Sequence, residues 1–169
     1  APDLINDAIV SGKIDVVCIN RPLNADYELV RKVQEGLFEE VRPCTHCFHC
    51  HDNIATGRTA PSLCRVTTAW QHTYTEDLPQ NSELIPAETP KNILVIGAGP
   101  AGMEAARIAT ERGHKVTLAE AKASYGGLLP FAQAVKGKHE NLMDLAAYQE
   151  TMCKKHGVDI QYGTIVDLD

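Results

Sequence analysis

Residues 92–102 read NILVIGAGPAG, and this stretch decides the fold. The apolar run before Gly97 predicts a buried strand, and the alanine-rich segment Met103–Arg112 predicts a helix. A second strand is predicted over Lys115–Ala119, and Glu120 follows it. A strand, a glycine-rich turn, a helix and a second strand are the beginning of a Rossmann-like parallel α/β fold.

The G-x-G-x-x-G turn has the context that makes it typical of a dinucleotide site, because an acidic residue follows about 20 residues later. We expect Gly97 to make the tight turn, Gly99 to admit a pyrophosphate, and Glu120 to accept hydrogen bonds from a ribose. A nucleotide-free turn is the alternative. The paired glycines Gly126 and Gly127 allow the backbone to approach a ligand closely at a second place, beyond the ADP moiety. This favours FAD over ADP alone. The predicted binding residues are Gly97, Gly99, Pro100, Ala101, Gly102, Glu120, Gly126 and Gly127.

Four cysteines form a second pattern. Residues 44–50 read CTHCFHC, and thirteen residues separate Cys50 from Cys64. Three local thiolates and one remote thiolate are typical of a [4Fe–4S] cluster, whereas zinc sites more often use two separated pairs. Zinc and unligated thiols stay open as alternatives, and a disulfide framework is disfavoured. The predicted metal ligands are Cys44, Cys47, Cys50 and Cys64.

Other cysteines and histidines have simpler interpretations. We expect His46, His49 and His51 to be neighbours of the cluster or solvent-facing imidazoles, with metal ligation as the alternative. Cys18 in a predicted strand and Cys153 in a predicted helix should be plain buried or half-buried thiols.

Composition excludes several classes of protein. The 169 residues carry a net charge of −6 with a pI near 5.6, which argues against nucleic-acid partners and an anionic membrane surface. No apolar run approaches the ~20 residues of a membrane span, and no signal peptide opens the sequence. The six cysteines fit a reducing compartment, so a cytoplasmic location is expected.

The first 43 residues predict part of another parallel α/β unit. Apolar spacing predicts a helix over residues 4–10, a β-branched run predicts a strand over residues 14–19, and a second helix starts near Asp26. A lone parallel strand leaves both edges unpaired, so this segment is not expected to be a domain by itself.

The remaining segments complete the prediction. Residues 67–90 lack periodicity and predict a connecting arm over a surface. A helix is predicted over residues 141–155 and a third strand over residues 159–162. We expect the chain to be incomplete at both ends, because neither α/β unit is finished, and therefore to be inactive alone.

The chain resembles the 2,4-dienoyl-CoA reductase/trimethylamine dehydrogenase family, which extends the old yellow enzyme barrel. The resemblance rests on NRPLNAD at residues 20–26, EVRPC at residues 40–44 with the three further cysteines, the stretch 92–102, Glu120, and the glycine pair 126–127. It implies four parts: residues 1–43 as the C-terminal end of a TIM-type FMN barrel, 44–66 as the iron–sulfur loop, 67–90 as a connecting arm, and 91–169 as an incomplete FAD- or ADP-binding domain.

The resemblance also implies site roles and a function. Arg21 would contact the FMN phosphate, although Asn20 replaces the usual glycine and the segment from Cys44 to Cys47 reads CTHC rather than CIGC. The implied enzyme is an NAD(P)H-linked oxidoreductase that passes electrons between FMN, the cluster and a second flavin or an external acceptor, with an enoyl-type or amine substrate. A non-catalytic electron-transfer or nucleotide-binding module is the alternative.

The expected partners follow from the same resemblance. They are the rest of the polypeptide, namely the FMN barrel and a second nucleotide domain, and a small-molecule substrate. No nucleic-acid or membrane partner is expected, and self-association into a homo-oligomer stays open.

Overall fold

The computed structural model describes residues 2–48, 51, 55 and 84–167. The first part has three short helices and one 3-10 turn: α1 (Pro2–Val10), α2 (Arg21–Ala25), α3 (Leu29–Gln34) and Phe38–Glu40. The second part has three strands, three helices and one 3-10 turn: β1 (Asn92–Ile96), α4 (Pro100–Glu111), β2 (Lys115–Glu120), α5 (Leu129–Lys136), Lys138–Glu140, α6 (Leu142–His156) and β3 (Asp159–Tyr162).

The three strands form one parallel sheet in the order β1-β2-β3. Ile93 pairs with Val116, and Leu118 pairs with Ile160, so β2 lies in the centre. This confirms the mixed α/β class with a parallel sheet. The loops that follow the strands meet at the carboxyl edge of the sheet, where doubly wound folds bind ligands.

The core lies between the sheet and helices α4 and α6. Met103 of α4, Val116 and Leu118 of β2 and Cys153 of α6 are almost completely buried in one apolar cluster. Within the described residues, the opposite side of β1 is not covered, since Leu94 and Ile96 are exposed. One face of the sheet therefore carries the packing of this unit.

The predicted strand over residues 14–19 is wrong. These residues are irregular and mostly exposed, and 77% of the Val16 surface is accessible. A β-branched run forms a strand only where a neighbouring strand accepts its backbone hydrogen bonds. No such neighbour lies within the described part of the chain. Cys18 is consequently an exposed thiol outside any strand, which corrects its predicted burial.

The second predicted helix starts later than expected. It begins at Leu29, and Asp26 instead accepts a hydrogen bond from the Glu28 N–H at 3.0 Å. The Asp26 carboxylate is buried and also accepts from Lys32 Nζ at 2.7 Å and from the Arg42 N–H at 2.9 Å. Asp26 thus connects α3 to the segment that leads into the cysteines.

Three further predictions concern the connecting arm, the first helix and membrane spans. The described end of the predicted arm follows the end of α4, where the Ala87 N–H donates to the Arg112 carbonyl oxygen at 2.8 Å. The rest of the arm falls outside the described residues. Helix α1 confirms the predicted first helix. No helix among the described residues is long and apolar enough to span a membrane.

Candidate dinucleotide and cluster sites

The glycine-rich turn adopts a conformation that requires glycine at two positions. Gly97 has φ +98°, and its N–H donates to the Ala119 carbonyl oxygen at 2.7 Å. A Cβ on Gly102 would lie 2.0 Å from the Gly97 carbonyl oxygen, so helix α4 can approach the strand only with glycine there. Helix α4 begins at Pro100, and its first-turn N–H groups lack intrahelical partners. This end of α4 is suited to bind an anion.

The second glycine pair lies directly against the first glycine loop. The Gly126 N–H donates to the Ala98 carbonyl oxygen at 2.8 Å. A Cβ on Gly127 would lie 3.0 Å from Gly99 Cα, and Gly127 has φ +58°. Two backbone segments without side chains therefore lie side by side. Such a surface allows a pyrophosphate to approach both of them, which fits a dinucleotide.

Glu120 closes the third side of this surface. One carboxylate oxygen accepts from the Ala98 N–H at 2.7 Å and the other accepts from the Lys122 N–H at 2.8 Å. The hydrogen bond from Lys122 and then that from Ala98 lower the pKa of Glu120, so the carboxylate is charged at neutral pH. Each oxygen keeps an acceptor position for a hydroxyl group. The ribose role of Glu120 stays a prediction.

The cysteine loop is described as far as Phe48. Cys44 is 8% exposed, whereas Cys47 is exposed. His46 and Phe48 have φ +53° and +59°, the left-handed conformation that few residues other than glycine adopt. Cys50, Cys64 and His49 lie outside the described residues. The described residues do not by themselves make a group of three metal-ligating side chains. Two thiols three residues apart in one loop fit the donor chemistry of an iron–sulfur cluster.

Arg21 lies beside the same loop. It is the first residue of α2, and its guanidinium carbon lies 5.0 Å from the centre of the Phe48 ring. His51 also contacts Phe48, with ring centres 6.2 Å apart. The predicted contact of Arg21 with an FMN phosphate stays a prediction.

Cys153 behaves as the sequence predicts. Its thiol is buried and donates to the Met103 carbonyl oxygen at 3.2 Å. Burial raises the pKa of Cys153 to about 11, which keeps the thiol protonated. A protonated thiol is a poor metal ligand and a poor nucleophile.

The structure contains a buried polar network next to the cysteine loop that the sequence did not predict. Arg42 donates to Glu104 of α4 at 3.1 Å, and Arg107 donates to the same carboxylate oxygen at 2.7 Å. Arg42 also lies over the ring of Tyr148, 5.5 Å from its centre. Burial acts to raise the pKa of Glu104, but the hydrogen bond from Arg107 and the charges of both arginines outweigh it and lower the pKa to about 2.

Local sequence spacing predicts only part of this network. Glu104, Arg107 and Glu111 are spaced three and four residues apart, a pattern that predicts ion pairs along one helix. Arg107 donates to Glu111 in the structure. Arg42 is 62 residues before Glu104, and no local pattern connects them.

The family model described as pyridine nucleotide-disulphide oxidoreductase matches residues 53–168. The chain is 39% identical to a metal reductase of Desulforamulus reducens over 96% of its length and 37% identical to a cinnamate reductase of Clostridium sporogenes over 95%; each match covers 23% of the relative. The chain thus spans about a quarter of the length of these relatives.

Two solved structures are similar over nearly the whole chain. Histamine dehydrogenase from Rhizobium sp. 4-9 has a TM-score of 0.81 and 27% identity, with 98% of this chain and 25% of that chain covered. A 2-naphthoyl-CoA reductase has a TM-score of 0.80 and 32% identity, with 98% and 24% covered. All of these relatives are named for reduction or dehydrogenation.

Proposed function

Because the chain belongs to the pyridine nucleotide-disulphide oxidoreductase family and to the 2,4-dienoyl-CoA reductase/trimethylamine dehydrogenase family, we propose that it is the electron-transfer part of an iron–sulfur flavoprotein oxidoreductase. One observation carries the proposal. The loop that holds Cys44 is attached to the same α/β unit whose two glycine pairs meet beside Glu120.

The nucleotide proposed for the glycine surface is FAD. The contact between Gly99 and Gly127 supports it, because a dinucleotide needs close backbone approach over a longer distance than ADP does. The start of α4 would bind the pyrophosphate with its N–H groups, and Glu120 would accept the ribose hydroxyls. ADP alone is the alternative, and analysis of the released nucleotide distinguishes it from FAD.

The metal centre proposed for Cys44, Cys47, Cys50 and Cys64 is a [4Fe–4S] cluster. When bound, such a cluster accepts and donates single electrons. The loop would supply four thiolates, and burial of Cys44 would keep water from that side of the centre. Zinc bound by the same cysteines would support no electron transfer.

The complete enzyme is proposed to contain FMN as well, with Arg21 at its phosphate through guanidinium hydrogen bonds. Its position beside Phe48 of the cysteine loop supports this role, since FMN and the cluster would then be neighbours. The proposed substrate is an enoyl-type compound or an amine, the proposed nicotinamide reductant is NAD(P)H, and the proposed location is cytoplasmic. The names of the relatives support a redox substrate of this range.

The experiment is cofactor analysis of the complete polypeptide purified without oxygen. We expect iron and acid-labile sulfide in cluster stoichiometry, together with FMN and FAD released by denaturation. Stoichiometric zinc with no iron would contradict the cluster, and release of ADP in place of FAD would contradict the second flavin.

A further inference from the structure

The cysteine loop is attached to the α/β unit by a buried ion pair. Arg42, two residues before Cys44, donates to Glu104 at 3.1 Å. Gln149 of α6 donates to the same carboxylate at 3.2 Å and to the Pro100 carbonyl oxygen at 2.9 Å. Pro100 belongs to the glycine-rich turn, so a continuous set of hydrogen bonds connects the cysteine loop with the dinucleotide loop.

A second hydrogen bond reaches the cysteine itself. Asn141, directly before α6, donates through its side-chain amide to the Cys44 carbonyl oxygen at 3.1 Å. Asn141 has φ +50° and ψ +33°, the left-handed conformation that asparagine adopts more readily than most residues. Its backbone thus aims the amide at the cysteine loop. We call the set Arg42, Glu104, Gln149, Asn141 and the Cys44 carbonyl the joint.

The side chains of Arg42, Glu104 and Gln149 in the joint are buried, and this distinguishes their ion pair from the other one that attaches the first part of the chain. Gln149 is 2% exposed, and Arg42 and Glu104 are also buried. Lys155 of α6 pairs with Glu40, but its side chain is 47% exposed. An exposed pair contributes little to stability and is screened by salt. A buried pair costs desolvation, and removal of one partner is strongly destabilising because it leaves an unpaired buried charge.

We propose that the joint sets the position of Cys44 relative to the dinucleotide loop, and that Glu104 and Asn141 are positioning residues for electron transfer between the flavin and the cluster. The inference rests on the proposed function, because it assigns the joint to those two cofactors. When bound, the flavin would supply electrons and the cluster would accept them one at a time. No bond forms or breaks in the joint, and its residues stay in the same charge state.

Asn141 has a more specific effect than Glu104. The amide removes electron density from the Cys44 carbonyl group and restrains the peptide that carries a ligand. Outer groups that hold a metal ligand commonly change metal affinity or activity by about 10- to 100-fold when removed. Loss of this hydrogen bond should therefore change the spectrum of the cluster as well as the rate.

The test compares three variants of the flavin- and iron-loaded complete protein. Glu104→Gln removes the charge that holds Arg42, Asn141→Gly removes the amide and keeps a residue that accepts the left-handed backbone, and Lys155→Ala is the matched control at the exposed pair. The measurements are iron and flavin content, the electron paramagnetic resonance spectrum of the dithionite-reduced protein, and the rate of cluster reduction after mixing with NADH.

We expect all three variants to retain iron and flavin. Cluster reduction should be about tenfold slower or more in Glu104→Gln and Asn141→Gly, with a shifted resonance spectrum in Asn141→Gly, and unchanged in Lys155→Ala. Equal rates and spectra in all variants would overturn the inference. If Glu104→Gln does not fold, Asn141→Gly decides alone. Wild-type protein without iron or without FAD would instead contradict the proposed function.

Discussion

The two described parts of the chain are stabilised in different ways. Residues 84–167 bury a continuous apolar core under a three-stranded sheet. In residues 2–48 the apolar core consists of Ala25 and Cys44, while apolar side chains such as Leu4, Val10 and Val16 are exposed. The first part is ordered instead by polar contacts, chiefly Asp26 with Lys32 and the Arg42 N–H.

The comparison shows what a parallel α/β sequence needs in order to fold as its pattern predicts. The strands of the second part lie between residues 92 and 162 and pair with one another. The helices between them cover one face of the sheet. The helices of the first part have nine residues or fewer, a length that is marginal in water without packing. We therefore expect changes to have their largest effects where the first part would depend on the proposed metal site.

The largest expected effect is that of Cys44→Ser. Cluster binding and folding of the loop should be coupled, so loss of one thiolate should release most of the iron and loosen the first part. Cys153→Ser is the matched control, because that thiol is buried, protonated and held by Met103. Iron analysis and limited proteolysis measure the result. Full iron content in Cys44→Ser would contradict the ligand set.

The next effect tests the second part. Gly102→Ala places a Cβ 2.0 Å from the Gly97 carbonyl oxygen, so the helix must move away from the strand. We expect a loss of about 3 kcal/mol or more in the free energy of unfolding, and weaker binding of the proposed FAD. Gly113→Ala is the control: it has φ +94° but no atom within 4 Å, so only backbone strain of about 1–2 kcal/mol applies. Denaturant unfolding distinguishes the two; equal losses would contradict the close packing.

The sequence predicted the second part of the chain better than the first. The order of elements from β1 to β2 was predicted correctly because its signals are local: an apolar run, glycines at fixed spacing, and an alanine-rich helix, although the helix starts three residues earlier than predicted. Helix α6 and β3 were predicted within one residue for the same reason. Helix α5 was missed, since it follows two glycines and has Pro130 at its start, although proline is tolerated in a first turn.

The remaining features depend on distant residues. A strand at residues 14–19 requires partners that the described residues do not supply, and the Arg42–Glu104 pair connects positions 62 apart in sequence. The identities of the candidate dinucleotide residues were readable from the motif. Their arrangement was not, because the contact between Gly99 and Gly127 depends on how two loops pack at one edge of the sheet.

A smaller effect concerns the polar connection between the parts. The pKa of Glu104 is lowered from 4.5 to about 2, so the carboxylate stabilises the fold above pH 4.5 and loses this contribution as the pH falls toward 2. The full contribution is about 3 kcal/mol. Glu104→Gln should be less stable than wild type at pH 7 and should lose less further stability on acidification. Unfolding of both proteins, followed by circular dichroism from about pH 7 to pH 3, tests this; parallel pH curves would contradict it.

The smallest expected effects are those of alanine substitutions at two valines, one buried and one exposed. Val116 is 2% exposed in the core and Val16 is 77% exposed, so Val116→Ala should cost about 2 kcal/mol in this chain and Val16→Ala less than about 0.5 kcal/mol. In the complete polypeptide the proposed barrel would cover Val16, because the elements of a barrel pack against one another on both faces of the sheet. Val16→Ala should then cost nearly as much as Val116→Ala. Unfolding measurements on the four variants and the two wild-type references give the comparison. A Val16→Ala cost that stays small in the complete polypeptide would contradict the assignment of residues 1–43 to a barrel, and would leave the second part as the only one whose fold follows from its own sequence.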